Sequence, residues 1–298
     1  RCTVHNNSSA GIYVRNVTGV RVAKNLIWKN GDGMSLHTVT NSTVEQNEIA
    51  YNGADGLTLT YNTNNVLVRR NYIHHHCRYA HPDNIQLFRE VSDISFVDNL
   101  LLAGGQSVMM EQTYDGEFSG NMILSSGGNS LGFGHGSAYN YLIHNNTVAF
   151  SRYLPISMSA YGYDVHDNIF MSGNLSGACV FADTLTDYTG ATNIFFNYAD
   201  GPAGMFATSS AWNLNLSQIQ AITGQDADSI CADPLFVNAP IFYINTDPLE
   251  VHLCTTDTLY MASGNTGFSV GDHIETNFDG VFREVTATTV DTITLAPP

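Results

Sequence analysis

The sequence predicts an all-β fold: a parallel β-helix, a solenoid of about 22–28-residue coils, closed by a C-terminal capping segment and followed by a small antiparallel β module. Three observations predict it. An Asn followed by a spacer and an aliphatic residue recurs at Asn25, Asn47, Asn71, Asn99, Asn121, Asn146, Asn168 and Asn193, with spacings of 22, 24, 28, 22, 25, 22 and 25 residues. Between these anchors lie "DGMSL", "DGLTL", "DNIQL", "QSVMM", "NSLGF" and "LPISM", most alternating apolar and polar with the period of a strand. A third short strand precedes many anchors, as in "GVRVAKN", "STVEQN", "NVLVRRN" and "DISFVDN".

Taken in order, residues 1–200 read as the helix. Three short strands in one period form a coil whose apolar face is covered only when coils stack, at the strand spacing of about 4.8 Å. The anchor Asn suits the left-handed conformation of a tight turn, and its amide can bond up and down the stack. The chain begins inside a coil, which implies further coils or a cap before it. Residues 201–255 read as a capping segment, because "WNLNLSQIQAITGQDADSICADPLFV" has the form of a short helix, a turn and a strand, and an open stack end exposes a sheet edge. Residues 256–298, with "TLYMAS", "VGDHIETN", "FREVTATT" and "DTITLAP", read as short antiparallel strands between Gly and Asp turns.

Composition narrows the partners. The net charge is −16 and Lys24 and Lys29 are the only lysines, which argues against nucleic acid and against anionic membranes. Nothing approaches a transmembrane run. Five cysteines (Cys2, Cys77, Cys179, Cys231, Cys254) form no CxxC pair; a Cys231–Cys254 bridge is one option, and the odd number leaves a thiol free. Abundant Asn, Thr and Ser with few lysines suit an extracellular protein.

Stacking lets columns be read across coils. Aligned on Met34, Leu57, Ile85, Val108, Leu131 and Ile156, the residues one place on (Ser35, Thr58, Gln86, Met109) and three places on (His37, Thr60, Phe88, Glu111) are expected to face outward. Two further columns flank them: Asp32, Asp55, Asp83 and Gln106 before, and Thr38, Tyr61, Arg89, Gln112 and His135 after. The coil with the 28-residue spacing carries "HHHCRYAHPDNIQ", His74 to Gln86, which gathers His76, Arg78, Tyr79, His81 and Asp83. This run is expected to wall one side of a groove floored by Asp55, Asp83, Gln86, Arg89, Glu111 and His135, with Tyr61, Gln112 and His37 beside it. Asp32 and Asp55 precede Gly and also read as turn formers, and His74 and His75 as solvated turn residues. His81 precedes Pro82 and is held extended.

The repeat and its Asn turns resemble the right-handed parallel β-helix superfamily of pectate lyases, polygalacturonases and alginate epimerases, and "TGQDADS…ADPLF" resembles the C-terminal closure of many secreted members. "YAHPD" has the Tyr, Asp, Pro and His types that alginate epimerases carry on such a coil, with His and Asp exchanged about the proline. "GFGHGS" around His135 is similar to the Gly-His-Gly element of polygalacturonases, where it precedes its strand. The resemblance implies a polysaccharide substrate, and three readings stay open. A lyase or C5-epimerase on a uronate needs a base, for which His81 or Tyr79 serves, and cations at the substrate carboxylate, for which Arg78 and Arg89 serve. Asp83 would orient His81 or Arg78. A glycoside hydrolase needs two carboxylates, from Asp55, Asp83, Asp32 or Glu111. A glycan-binding or fibre repeat needs neither. The sequence assigns no certain cofactor, and Ca²⁺ at Asp55 and Asp83 is an option.

Overall fold

The computed structural model describes residues 1–76, 82–133, 138–158, 161–172, 180–182, 188–197, 206–208, 214–237, 257–260, 268–275 and 282–297. The chain divides into two compact units, Arg1–Ile244 and Asn245–Pro298. The first is a parallel β-helix, as the repeat predicts. One wall is a ten-stranded parallel sheet that takes one strand from each coil, including Leu26–Trp28, Glu48–Ala50, Tyr72–His76, Leu100–Gly104 and Met122–Leu124. The other is a fourteen-stranded sheet whose longest strands, Met34–Glu45, Asp83–Val97 and Gln106–Ser119, turn a corner midway. Asp83–Val97, for example, pairs with Leu57–Thr60 before its corner and with Asn64–Arg69 after it. The fourteen-stranded sheet thus supplies two outer faces.

The register follows the expected columns. Met34 pairs with Leu57, Leu57 with Ile85, Ile85 with Val108, Val108 with Leu131 and Leu131 with Ile156. All six side chains are fully buried, within one continuous core that runs along the stack. Each coil buries about one aliphatic side chain per strand, so the stack is stabilised rung by rung by apolar burial at about 25 cal/mol per Å².

The Asn anchors form a buried ladder, but their conformation differs from the expected one. The left-handed residue is the one before each anchor: Lys24, Gln46, Arg70, Asp98, Gly120, Asn145, Asp167 and Thr192 all have φ between 53° and 66°. That residue turns the chain, which leaves the Asn backbone free to hydrogen-bond along the stack. From Asn47 to Asn193, each Asn Oδ1 accepts both the backbone N–H and the Nδ2–H of the Asn one coil earlier, as Asn99 does from Asn71 at 3.0 Å. From Asn47 onward each Nδ2 also donates to a carbonyl of the preceding coil, as Asn99 does to Val68 O at 2.9 Å. The ladder runs from Asn25 to Asn193, where Ser229 and Asp226 take over as acceptors.

A second ladder begins at Asn7, passes through Asn30 and Asn52, and continues through a histidine. Asn52 Nδ2 lies 3.1 Å from His76 Nε2, and His76 Nδ1 lies 3.0 Å from Asn84 Oδ1. Gly33 and Gly56 are demanded by close approach here. A Cβ on Gly56 would stand 2.8 Å from the His76 ring and 2.6 Å from Asn84 O.

The helix Leu216–Thr223 follows the coils, capped by Asn215 in a capping box with Gln218 and ended by left-handed Gly224. It is short, and among the described residues no helix is long and apolar enough to cross a membrane. Among the described residues Cys2 and Cys231 are free thiols, and Cys254 lies outside the described residues. The second unit holds four antiparallel strands, Thr258–Tyr260, His273–Glu275, Phe282–Thr288 and Thr292–Leu295, around Val285, Ile293 and Leu295.

Candidate functional site on the central face

The outward column one place after the core reference pairs Tyr13 with Ser35, Ser35 with Thr58, Thr58 with Gln86 and Gln86 with Met109. Two places further, Arg15, His37, Thr60, Phe88 and Glu111 are in register. The next position is the corner. Thr38, Tyr61, Arg89 and Gln112 are all left-handed, with φ of 55°, 55°, 67° and 52°. Non-glycine residues adopt this conformation at a cost of roughly 1–2 kcal/mol each. Here the parallel pairing on both sides of the corner holds them in it.

The corner gathers rings around a guanidinium. His37 stacks on Tyr61 with centroids 4.4 Å apart, and Tyr61 meets Phe88 edge-on at 6.1 Å. Arg89 lies over Tyr61 at 4.6 Å and over Phe88 at 5.4 Å. It is exposed and, among the described residues, forms no ion pair, whereas Arg21 and Arg69 are both held by Glu45 and Arg70 lies beside Asp98. Gln86 and Glu111 are half-buried and Gln112 is exposed.

The column before the reference is an aspartate ladder. Asp55 donates its backbone N–H to the Asp32 carboxylate, Asp83 N–H donates to Asp55 Oδ1 at 2.8 Å, and Gln106 N–H donates to the Asp83 carboxylate. Asp32 and Asp55 are therefore the turn formers that their sequence context suggests. Asp83 is only 1% exposed and, among the described residues, its Oδ1 has no hydrogen-bond partner; the Oε1 of Gln106, one rung on, also has none there. Burial first, then the charge of Asp55, pushes the Asp83 carboxyl up to about 9, despite the Gln106 N–H. At neutral pH it is a protonated acid.

The histidine-rich run is split. His74 is buried, not solvated: it stacks on Tyr72 at 3.9 Å, meets Tyr51 edge-on, and is depressed to about 3 by burial. His76 is enclosed as a ladder rung, depressed to about 4 by burial, and is therefore a neutral structural imidazole rather than a surface group for sugar. Gly105 N–H donates to both His76 O and Pro82 O, at 2.7 and 3.0 Å, pinning the two ends of the insertion to the rung of Gln106. Arg78, Tyr79, His81 and His135 lie outside the described residues. The Asp55 carboxylate accepts the Asp83 backbone N–H and the Asp83 carboxylate accepts that of Gln106, so one oxygen of each is engaged in the turn. Among the described residues no three His, Cys, Asp or Glu side chains gather as a metal site.

Two residues of this face escaped the sequence reading. Tyr13 and Arg15 belong to the rung before Met34, and "GIYVRN" has the same alternation 22 residues upstream of "GMSLHT". That alternation was the available signal.

Residues 1–101, about a third of the chain, match the family model described as a right handed beta helix region. No curated protein matches the sequence. Among solved structures, a tailspike protein mutant of E. coli bacteriophage HK620 in complex with a pentasaccharide is similar at 11% identity, covering 70% of this chain and 43% of its own, with a TM-score of 0.48. The A-module of a mannuronan C-5 epimerase from Azotobacter vinelandii is similar at 14% identity, covering 64% of this chain and 57% of its own, with a TM-score of 0.40. A DFA-IIIase from Arthrobacter chlorophenolicus is similar at 14% identity, covering 73% and 54%, with a TM-score of 0.38. The chain thus spans about half the length of these structures, and the likeness is one of fold.

Proposed function

We propose that the central face is the active surface of an extracellular polysaccharide-active enzyme, a lyase or C5-epimerase that removes a proton from a uronate unit. The observation that carries the reading is Arg89. In a strongly acidic chain, this guanidinium lies over aromatic faces on an exposed corner and, among the described residues, pairs with no carboxylate. A cation kept free in this way suits a substrate carboxylate, whose neutralisation is what makes the adjacent C5 proton acidic. Arg15 adds a second cation in the column of Glu111. Gln86, Tyr61, His37 and Gln112 would bind sugar hydroxyls. The base would come from Tyr79 or His81, with Arg78 at the carboxylate, on the ground of their side-chain chemistry and of the loop ends fixed by Gly105. As a neutral acid, Asp83 would orient an acceptor on that loop rather than pair with Arg78.

A hydrolase is the second reading, favoured by one observation. Asp83 is protonated at neutral pH and feels the charge of Glu111, the pairing of an acid with a carboxylate that glycoside hydrolysis uses.

Arg89→Ala, assayed on polygalacturonate, alginate and an uncharged glucan, tests the main reading. A hydrogen bond to a charged group is worth about 1.5–3 kcal/mol, so KM on the active uronate should rise about 10–100-fold, with Arg89→Lys in between. Unchanged kinetics in Arg89→Ala would remove Arg89 from the site.

A further inference from the structure

The fourteen-stranded sheet has a second outer face, beyond the corner, that the reading above does not use. Its geometry is a lattice of three rows in register. The first row is Tyr114, Tyr139 and Tyr161, stacked with centroids 5.6 and 5.2 Å apart and planes within 14°. The second is a left-handed corner row, Asn41, Asn65, Asp93, Asp115 and Asn140, with φ of 50° to 62°. The third is an outward strand row in which Ser95 pairs with Glu117, Glu117 with Leu142 and Leu142 with Asp164. The second and third rows line an open groove of about 590 Å³ that includes Asp93, Asp115, Glu117, Asn140, Leu142 and Asp164.

We propose that this groove is a glycan-binding site, separate from the central face, that takes an extended chain of uncharged sugars lying along the solenoid axis. Three features argue for that occupant. The rows repeat at the rung spacing of about 4.8 Å, so a polymer parallel to the axis meets hydrogen-bonding side chains at regular steps, Tyr114 with Asp115 on one rung and Tyr139 with Asn140 on the next. The rings stack on one another, so the ladder presents ring edges and hydroxyls to solvent, and Tyr161 is 53% exposed. A phenolic O–H donates to a sugar oxygen, while carboxylates and the Asn amide accept from sugar hydroxyls. Tyr and Asn also suit such contacts because they carry few rotatable bonds. Charge selects within the glycans: the groove lining holds four carboxylates and neither Lys nor Arg, so an anionic uronate chain is repelled. Two acceptors are already oriented, Asp115 Oδ1 by Asn140 Nδ2 at 2.9 Å and Glu117 Oε1 by His144 Nε2 at 3.1 Å.

The test is calorimetric titration of the full chain with hexasaccharides of β-1,4-linked glucose, α-1,4-linked glucose, β-1,4-linked N-acetylglucosamine, glucosamine and galacturonate. The expected result is binding of at least one uncharged hexasaccharide that persists at high salt, weakens about tenfold in Tyr161→Ala and in Asp115→Ala, and is unchanged in Arg89→Ala. Uronate turnover should be the same in Tyr161→Ala as in the parent chain. Thermal melts of the two variants establish that each is folded. The proposal is overturned if no uncharged hexasaccharide binds, if binding survives both substitutions in folded protein, or if only the glucosamine oligomer binds and is released by salt.

Discussion

Burial holds Asp83 as a neutral acid, and that state has a sign in pH. An unfolded Asp ionises near pH 4, while the folded one does so near 9. Between those values the folded protein keeps a proton that the unfolded chain has released, so Asp83 makes stability fall as pH rises through the window. Asp83→Asn keeps an acceptor for the Gln106 N–H and removes the titration. Its melting temperature should gain on the parent steadily from pH 5 to pH 9; parallel curves would show that Asp83 is ionised in the fold. His76 acts in the opposite direction. Its folded value of about 4 lies below the ordinary 6.5, so its contribution is full above pH 6.5 and is lost as pH falls toward 4. Gln can accept from Asn52 and donate to Asn84 in its place, so His76→Gln should melt with a shallower acid limb, read by circular dichroism between pH 7 and 4. An unaltered limb would mean that His76 is charged in the stack. Neither state was legible in the sequence. "HHHCRYAHPD" gives residue types, but burial and partner come from the neighbouring coils: Asn52 lies 24 residues before His76, and Asp55 28 residues before Asp83.

At the scale of the element, one coil is the unit and the Asn ladder is its fastener. Asn99 joins three coils, accepting from Asn71 twice and donating to Asn121 Oδ1 and to Val68 O. Asn99→Ala strands the buried Asn71 N–H and the Val68 carbonyl without partners. The expected cost is about 2–4 kcal/mol in urea unfolding, with local hydrogen exchange faster in the coils on either side. A loss under about 0.5 kcal/mol would mean that water or backbone shifts replace the amide. The coils were legible because their period is a sequence property: Met34, Leu57, Ile85, Val108, Leu131 and Ile156 align by counting alone. Which residue takes the left-handed turn was not. Asn tolerates that conformation best in isolation, yet here its side chain is committed to the ladder, so the turn moves to the residue before it, whatever its type.

Across the whole β-helix unit, two outer faces of one sheet differ in charge and chemistry. The central face carries Arg15 and Arg89 among rings and amides; the face beyond the corner carries tyrosines and carboxylates. That division was partly legible, since the Arg89 and Glu111 columns follow from the repeat. The stacked Tyr114, Tyr139 and Tyr161 were not, although their spacings of 25 and 22 residues match those of Asn121, Asn146 and Asn168, because they lie beyond the corner at which the aligned columns end. The central claim concerns the fate of one hydrogen atom. Uronate polymers incubated with the protein in deuterated buffer, followed by proton NMR and ultraviolet absorbance, report it directly. The account predicts loss of the C5 proton signal, either with an ultraviolet-absorbing unsaturated end, as a lyase gives, or with deuterium at an inverted C5, as an epimerase gives. New reducing ends with the C5 proton retained would contradict it and leave hydrolysis by Asp83 and Glu111 in its place.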